Sequence, residues 1–260
     1  MTRCAADRVV RTPFVLVPHP LDGLGPGAAV PLPEDTVHHL RRVLRRSDGA
    51  DLEVTDGAGN VADATLVGEQ VRLAGAVSSV PAPLPALTVL HAVPKGRALD
   101  EIVRTLAELG VARVVPVLTA HTESRPTGDK ARSVGDRLRA VAESALQQAR
   151  SAHLCRVEDP EELSVTLRNE ALEGVRLLAH PAAENTLGGH MATIRPDLPL
   201  SLCIGPEGGI ADHELEELST GGWTPVRAGD TVLRTVHAAT VLTSAVLALA
   251  GRFGETSTRP

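Results

Sequence analysis

The sequence predicts an α/β protein: a mainly parallel sheet with helices on both faces, preceded by a smaller β-rich domain. Three observations carry this. Beyond residue 86, apolar runs of strand length alternate with amphipathic stretches of helix length, the pattern of a parallel sheet with crossover helices. Between residues 51 and 77, apolar and polar residues alternate and glycine-containing turns punctuate them, the pattern of short, half-buried strands. Between these regions lies "VSSVPAPLPALTV", residues 77–89, with prolines at three alternate positions. Each proline fixes its own φ and pushes its predecessor toward extended backbone. This linker predicts domains at 1–80 and 86–260, both of ordinary domain size.

In the first domain, "EDTVHHLRRVLRRSDG" places Val37, Leu40, Val43 and Leu44 at helical spacing. Arg41, Arg42, Arg45 and Arg46 occupy the rest of that short helix. Four guanidinium groups there suit phosphate contacts and mark an RNA-binding patch. "DLEVTDGAGNVADATLVGEQVRLAGAV" follows, with turns at Asp56-Gly57 and Gly59-Asn60.

In the second domain, "ALTVLHAV" reads as a strand. "ALDEIVRTLAELG" reads as a helix with Leu99, Ile102, Val103, Leu106 and Leu109 on one face and Gly110 at its end. "VARVVPVL" is a strand, and "SVGDRLRAVAESALQQAR" a helix that turns Val134, Leu138, Val141, Ala145 and Leu146 inward. Strands at "VRLLAHP", "LSLCIGPEGG" and "TPVRAG" follow, with helices near "DHELEELS" and at "HAATVLTSAVLALAG".

Composition narrows the functional classes. The chain has 260 residues, 43% hydrophobic, 1% aromatic and no Tyr. Its core is aliphatic, and the scarcity of aromatics argues against a base-stacking platform. A net charge of −6 argues against polyanion binding by the whole surface and leaves room for a local basic patch. Cys4, Cys155 and Cys203 are dispersed and form no C-x-x-C pair, which predicts reduced thiols. With no leader-like or membrane-length apolar run, the expected location is the cytoplasm. His38-His39 is the densest histidine pair, but adjacent helical residues point apart, so no metal site is expected.

Ligands of open parallel sheets bind beyond the carboxyl ends of the strands. Three loops there have unusual composition: "HPAAENTLGGH", "GPEGGI" and "RAGDTVLRTVHAAT". Glycines let backbone approach a ligand closely. The phosphate-binding glycine patterns G-x-G-x-x-G and G-x-x-x-x-G-K-[ST] are missing, as is the G-x-S-x-G nucleophile turn.

The order of these segments resembles the RsmE family of 16S rRNA uridine-N3 methyltransferases, in the SPOUT superfamily. "IGPEGGI" with an acidic helix, then "RAGDTVLRTVHAAT", resembles that family's C-terminal part. "HHLRRVLRRSDGADLEVTDGAGN" resembles its N-terminal motif, and "AVPKGRALDEIVRTLAELGVARVVPV" and "SALQQAR" its first catalytic segments. The resemblance implies a PUA-like RNA-binding β-barrel over 1–80, a trefoil-knotted SPOUT domain over 86–260, homodimers, and S-adenosyl-L-methionine as cofactor. It implies a cofactor pocket of Leu178, Ala179 and His180; of Gly205, Pro206, Glu207, Gly208 and Gly209; and of Ala228, Gly229, Val232 and Leu233. Arg234 is expected nearest the chemistry, His237 is a candidate base three residues on, and Glu207 is expected to brace its loop. The implied partner is ribosomal RNA of the small subunit. Val236 and His237 stand where the family has Glu and Thr. That departure keeps open a diverged knot methyltransferase acting on a small molecule.

Overall fold

The computed structural model describes residues 12–168, 172, 174–193, 195 and 198–253. Cys4 lies outside them. The chain divides into two compact units, one running to Ala82 and including Leu146–Leu154, the other comprising Pro83–Ala145 and the chain from Cys155 onward.

The first unit is built on a six-stranded sheet of β1 (Phe14–Leu16), β2 (Ala29–Pro31), β3 (Asp51–Thr55), β4 (Asn60–Val67), β5 (Gln70–Leu73) and β6 (Ser78–Ser79). The order is β1-β3-β4-β5-β2, with β6 also on β4. Strands β3, β4, β5 and β2 pair antiparallel, and β1 runs parallel to β3. Alternation decides which side chains enter the core: Ala62, Ala64 and Leu66 of β4 join Leu52, Val54, Val71 and Leu73. The Asp56 carboxylate fixes the β3–β4 turn by accepting from the amides of Leu21 (3.0 Å), Ala58 (2.8 Å) and Asn60 (3.2 Å) and from the Asn60 side chain (2.8 Å). Burial alone would raise its pKa. The bonds from Asn60, Leu21 and Ala58 outweigh burial and hold the carboxyl below its usual range.

Leu146–Leu154 joins this unit although it lies far along the chain. The Gly59 amide donates to the Ala152 carbonyl (2.9 Å), and the Leu154 amide to that of Gly57 (2.8 Å). Arg150 pairs with Glu53 and sits 5.1 Å from the centroid of the Phe14 ring. No linear boundary can express this, because hydrogen bonds between distant segments leave no local signature.

Helix α1 (Glu34–His38) widens into a π-helical turn (His39–Val43). The Leu44 amide reaches back five residues to the His39 carbonyl, at 3.0 Å. The extra residue per turn shifts the phase expected from regular helical spacing. Leu40 stays buried and Val37 packs on the core, but Val43 is 60% exposed and Leu44 40% exposed.

The second unit is a seven-stranded, all-parallel sheet. Its strands are β7 (Leu87–Ala92), β8 (Arg113–Leu118), β9 (Arg156–Val157), β10 (Glu161–Glu162), β11 (Val175–Ala179), β12 (Leu200–Ile204) and β13 (Thr224–Val226). The order is β10-β8-β7-β12-β11-β13, with β9 also on β8. Its helices are α2 (Ala98–Glu108), α3 (Asp129–Ala149), α4 (Leu163–Leu167), α5 (Leu187–Met191), α6 (Asp212–Thr220) and α7 (Thr235–Leu249). Every residue of central strand β12 is buried, as expected where helices cover both sheet faces. The expected inner face of α2 holds through Leu99, Ile102, Val103 and Leu106, with Gly110 in the left-handed region beyond its end. The short elements β9, β10, α4 and α5 escape sequence reading, since two to five residues carry too little periodicity.

Candidate active site

Strand β7 lies between β8 and β12, so the chain's progress across the sheet reverses there. Crevices form at such reversals, beyond the carboxyl ends of the strands. The loops after β11, β12 and β13 enclose a cleft of about 430 Å³.

Its first wall is the end of β11. Ala179, His180 and Pro181 face the cleft, and the His180 amide donates to the Val226 carbonyl at 3.0 Å. The loop after β11 then runs alongside the one after β13. Arg227 donates its amide to Asn185 and accepts at its carbonyl from the Leu187 amide, both at 2.9 Å.

The second wall is the glycine loop. Gly205, Pro206, Glu207 and Gly209 line the cleft with Ile204 and Ile210. The Gly209 amide closes the turn onto the Pro206 carbonyl (2.9 Å), and Gly209 has φ +76°, a conformation that favours glycine. At Gly205 a Cβ would stand 3.0 Å from Ile210 Cδ1, so that glycine lets Ile210 pack down. Gly208 does not line the cleft: a Cβ there would stand 3.0 Å from His121 Cβ. Its bareness accommodates a neighbouring loop of the protein.

Among the described residues, Glu207 makes no bond to the amides of this loop, contrary to the expectation placed on it; the acid that bonds backbone here is Glu214, just beyond the loop. Glu207 is exposed and faces the cleft. Glu214, in the first turn of α6, is only 6% exposed. Its carboxylate accepts from the amides of Ala120 (2.9 Å) and Ala211 (3.0 Å), tying the loop after β8 to the start of α6. Ala211 occupies the N-cap of α6 without a side-chain cap bond. His121 Nδ1 donates to the Gly209 carbonyl (3.0 Å).

The third wall comprises Ala228, Gly229, Thr231, Val232, Leu233 and Arg234. Arg227 and Asp230 pair at 2.6 Å and fix the turn. Arg234 is exposed at the N-cap of α7. From α7 itself, Thr235, Ala238 and Leu242 face the cleft. His237 is exposed and outside the lining, because its direction on the first turn differs from that of Ala238. Leu178 is 1% exposed and packs in the core behind the wall.

His91, next to last in β7, is fully buried. Its Nδ1 lies 2.7 Å from the Ala92 carbonyl oxygen, and its Nε2 3.4 Å from that of Thr235. Burial depresses its pKa against the raising influence of these carbonyls and of Glu207. Lys95 pairs with Glu123 at 2.5 Å. Burial pushes the Cys155 and Cys203 thiols up to about 12, so neither is a nucleophile at neutral pH. No cluster of three or more metal-ligating side chains occurs among the described residues.

Thr235, Ala238 and Leu242 were missed, although their i, i+3, i+7 spacing is the signal that could have found them. His91, His121 and Glu214 carry no such signal, since each acts across the fold on a distant backbone group. The arginines of the first unit separate. Arg41 is half-buried and bonds Asp48, the Gly68 carbonyl (2.9 Å) and the Arg46 carbonyl (3.3 Å). Arg46 is half-buried, while Arg42 and Arg45 are exposed.

A parallel α/β domain with a backbone-walled cleft at its strand ends, joined to a small β domain, is the plan of an enzyme that binds a nucleoside-like ligand beside its sheet. Residues 81–247 match the family described as RNA methyltransferase domain, and residues 32–73 match the RNA methyltransferase PUA domain. The chain belongs to this RNA methyltransferase family, with the expected SPOUT-type α/β domain and N-terminal PUA domain. Among its relatives, the ribosomal RNA small subunit methyltransferase E of Synechocystis is 31% identical over 85% of this chain and 74% of its own. The enzyme of the same name from Mycobacterium bovis is 31% identical over 87% of this chain and 89% of its own. A Legionella pneumophila protein solved with the bound cofactor SAM superposes with a TM-score of 0.81, at 27% identity, covering 91% of this chain and 97% of that one.

Proposed function

We propose that the chain is an S-adenosyl-L-methionine-dependent enzyme that methylates N3 of a uridine in 16S ribosomal RNA of the small subunit. The observation that carries this is the cleft, walled by three interlaced loops and rimmed by Arg234. Its fit to a nucleoside cofactor rests on its surface. Ile204, Ile210, Val226 and Leu242 supply apolar contact, and most remaining groups are backbone at Gly205, Gly209, Ala228 and Gly229. A Cβ at Gly229 would meet no protein atom within 4 Å, so that side is free for a ligand. Such a surface reads a flat, polar edge through main-chain amides and carbonyls. The backbone bonds between loops 180–187 and 226–231 support the expected trefoil knot.

The bound cofactor supplies an already activated methyl group, so the protein's work is positioning. Ala179, His180, Gly205, Pro206, Glu207, Gly209, Ala228, Gly229, Val232 and Leu233 hold the cofactor, with Leu178 behind Ala179 and Gly208 seating His121. Glu207 presents a carboxylate toward a ligand that carries positive charge. Arg234 holds the base and stabilises the anion that develops when the uracil N3 proton leaves. Of the side chains lining the cleft, His180 and Glu207 can take up that proton; His237 faces away. The PUA unit contacts the RNA through its arginine turn. The chain works as a cytoplasmic homodimer, with Val241 (46% exposed) and Leu249 (49% exposed) of α7 offering apolar surface to a second copy.

Among the described residues, no helix is long and apolar enough to cross a membrane. The test is methyl transfer by the purified protein to small subunits from a strain lacking the gene, read by nucleoside mass spectrometry. New 3-methyluridine is expected. Methyl transfer to a small molecule with none to RNA would overturn the substrate assignment.

A further inference from the structure

The turn after α1 is held rigidly from behind and leaves an unusual set of side chains outside. Leu40 anchors it, at 1% exposure. The Arg46 amide donates to the Leu40 carbonyl (2.9 Å), and Arg45 closes the turn in the left-handed region at φ +53°. Arg41 folds back on Asp48 and Gly68. Asp48 also accepts from the Gly68 amide at 3.0 Å, and the Arg41 and Gly68 bonds hold its carboxyl below the usual range. One acidic neighbour is thus already occupied. Outward stand Arg42, Val43, Leu44 and Arg45, all exposed. No hydrogen bond or ion pair engages the side chain of Arg42 or Arg45 among the described residues.

We propose that this tip is an RNA-reading element that couples two phosphate contacts, from Arg42 and Arg45, to an apolar contact of Val43 and Leu44 with the faces of unstacked bases. The proposal rests on the RNA methyltransferase reading above and deepens it. The PUA match at residues 32–73 spans the tip. Base faces need an apolar surface, and no Phe, Tyr or Trp is exposed among the described residues of this unit: Phe14 is buried. Aliphatic side chains such as Leu can pack against base faces, as they do when they wedge between base steps. Rigidity lowers the ordering cost of that contact. A positive, apolar tip on a chain of net charge −6 favours a polyanion with exposed hydrophobic faces, which describes single-stranded or bulged RNA.

The test uses the full chain and two probes, a 16S rRNA transcript and intact small ribosomal subunits, titrated across salt. Arg42→Gln with Arg45→Asn keeps the left-handed turn, since Asn tolerates that conformation. It is expected to weaken transcript binding about ten-fold near 0.1 M salt and to reduce the salt slope by about 1.5. Val43→Ser with Leu44→Ser is expected to weaken binding about ten-fold with the slope unchanged. Unaltered melting temperatures and cofactor affinities in both variants exclude misfolding. An unchanged slope in the arginine variant, or unchanged affinity in the apolar one, overturns the proposal. Loss of binding to intact subunits with normal transcript binding also overturns it, in favour of a protein partner. Tip-dependent RNA binding without methyl transfer would sink the enzymatic reading and leave this one standing.

Discussion

The cleft beyond β11, β12 and β13 is walled largely by backbone, whereas the turn after α1 presents side chains. Each is held by a buried or half-buried polar group that does not itself face the ligand. In the cleft that group is Glu214, bonding the amides of Ala120 and Ala211. At the turn it is Arg41, bonding Asp48 and Gly68. Residues that hold a site and residues that face a ligand are neighbours in sequence in both places. Glu207 and Glu214 are both acidic, and Arg41 and Arg42 are adjacent, yet burial separates their tasks.

Substitutions at the braces and at the ligand-facing groups break this comparison in opposite ways. The largest effect is expected at Glu214. Glu214→Ala leaves two amides without their charged acceptor, a loss of about 2–4 kcal/mol. It should lower the melting temperature by several degrees and weaken cofactor binding with it. Glu207→Ala should leave the melting temperature unchanged while weakening cofactor binding in calorimetry. Equal melting losses in the two variants would erase the distinction between brace and contact. Gly209→Val comes next. At φ +76° a β-branched residue costs about 1–2 kcal/mol, and its side chain enters space near the ligand. At least a ten-fold loss of cofactor affinity is expected, against a smaller loss for Gly209→Asn, which tolerates the backbone.

The smallest effect is expected at His91, buried behind the lining residue Thr235. Burial drives the His91 pKa below its usual 6.5, against the opposing influence of Ala92, Thr235 and Glu207. The unfolded chain therefore takes up a proton near 6.5 that the folded chain refuses. Stability is full above 6.5 and is lost as the pH falls from there through the lower folded value. Denaturant titrations of His91→Gln should show a flatter decline on this acid side than the parent. Parallel curves would mean that His91 titrates alike in both states.

Much of the fold was legible because its signals are local. The alternation in β3 to β5, the apolar face of α2 and the glycine beyond it all follow from neighbours within one turn or one pleat. The cleft was legible for a related reason, since glycine composition records where backbone must stay bare. Val43 and Leu44 misled because the π-helical turn changes the period from which their direction is inferred. Gly208 misled because composition shows that space is needed without showing what fills it, here His121. His237 misled because spacing alone placed it beside Arg234, and the actual direction of α7's first turn puts Ala238 there instead.

The sequence by itself determined the α/β class, the β-rich N-terminal region, the three loops of the cleft and the local positive charge of the arginine turn. These depend on periodicity, composition and chain order, which neighbouring residues set. Tertiary structure alone decided that Leu146–Leu154 belongs with the first unit and that Glu214, rather than Glu207, is the acid that ties backbone beside the glycine loop. It also decided that His91 is sealed beneath Thr235 and that Arg41 and Arg42 face different surroundings. Each of these depends on a hydrogen bond or on burial among residues distant in the chain, set by packing.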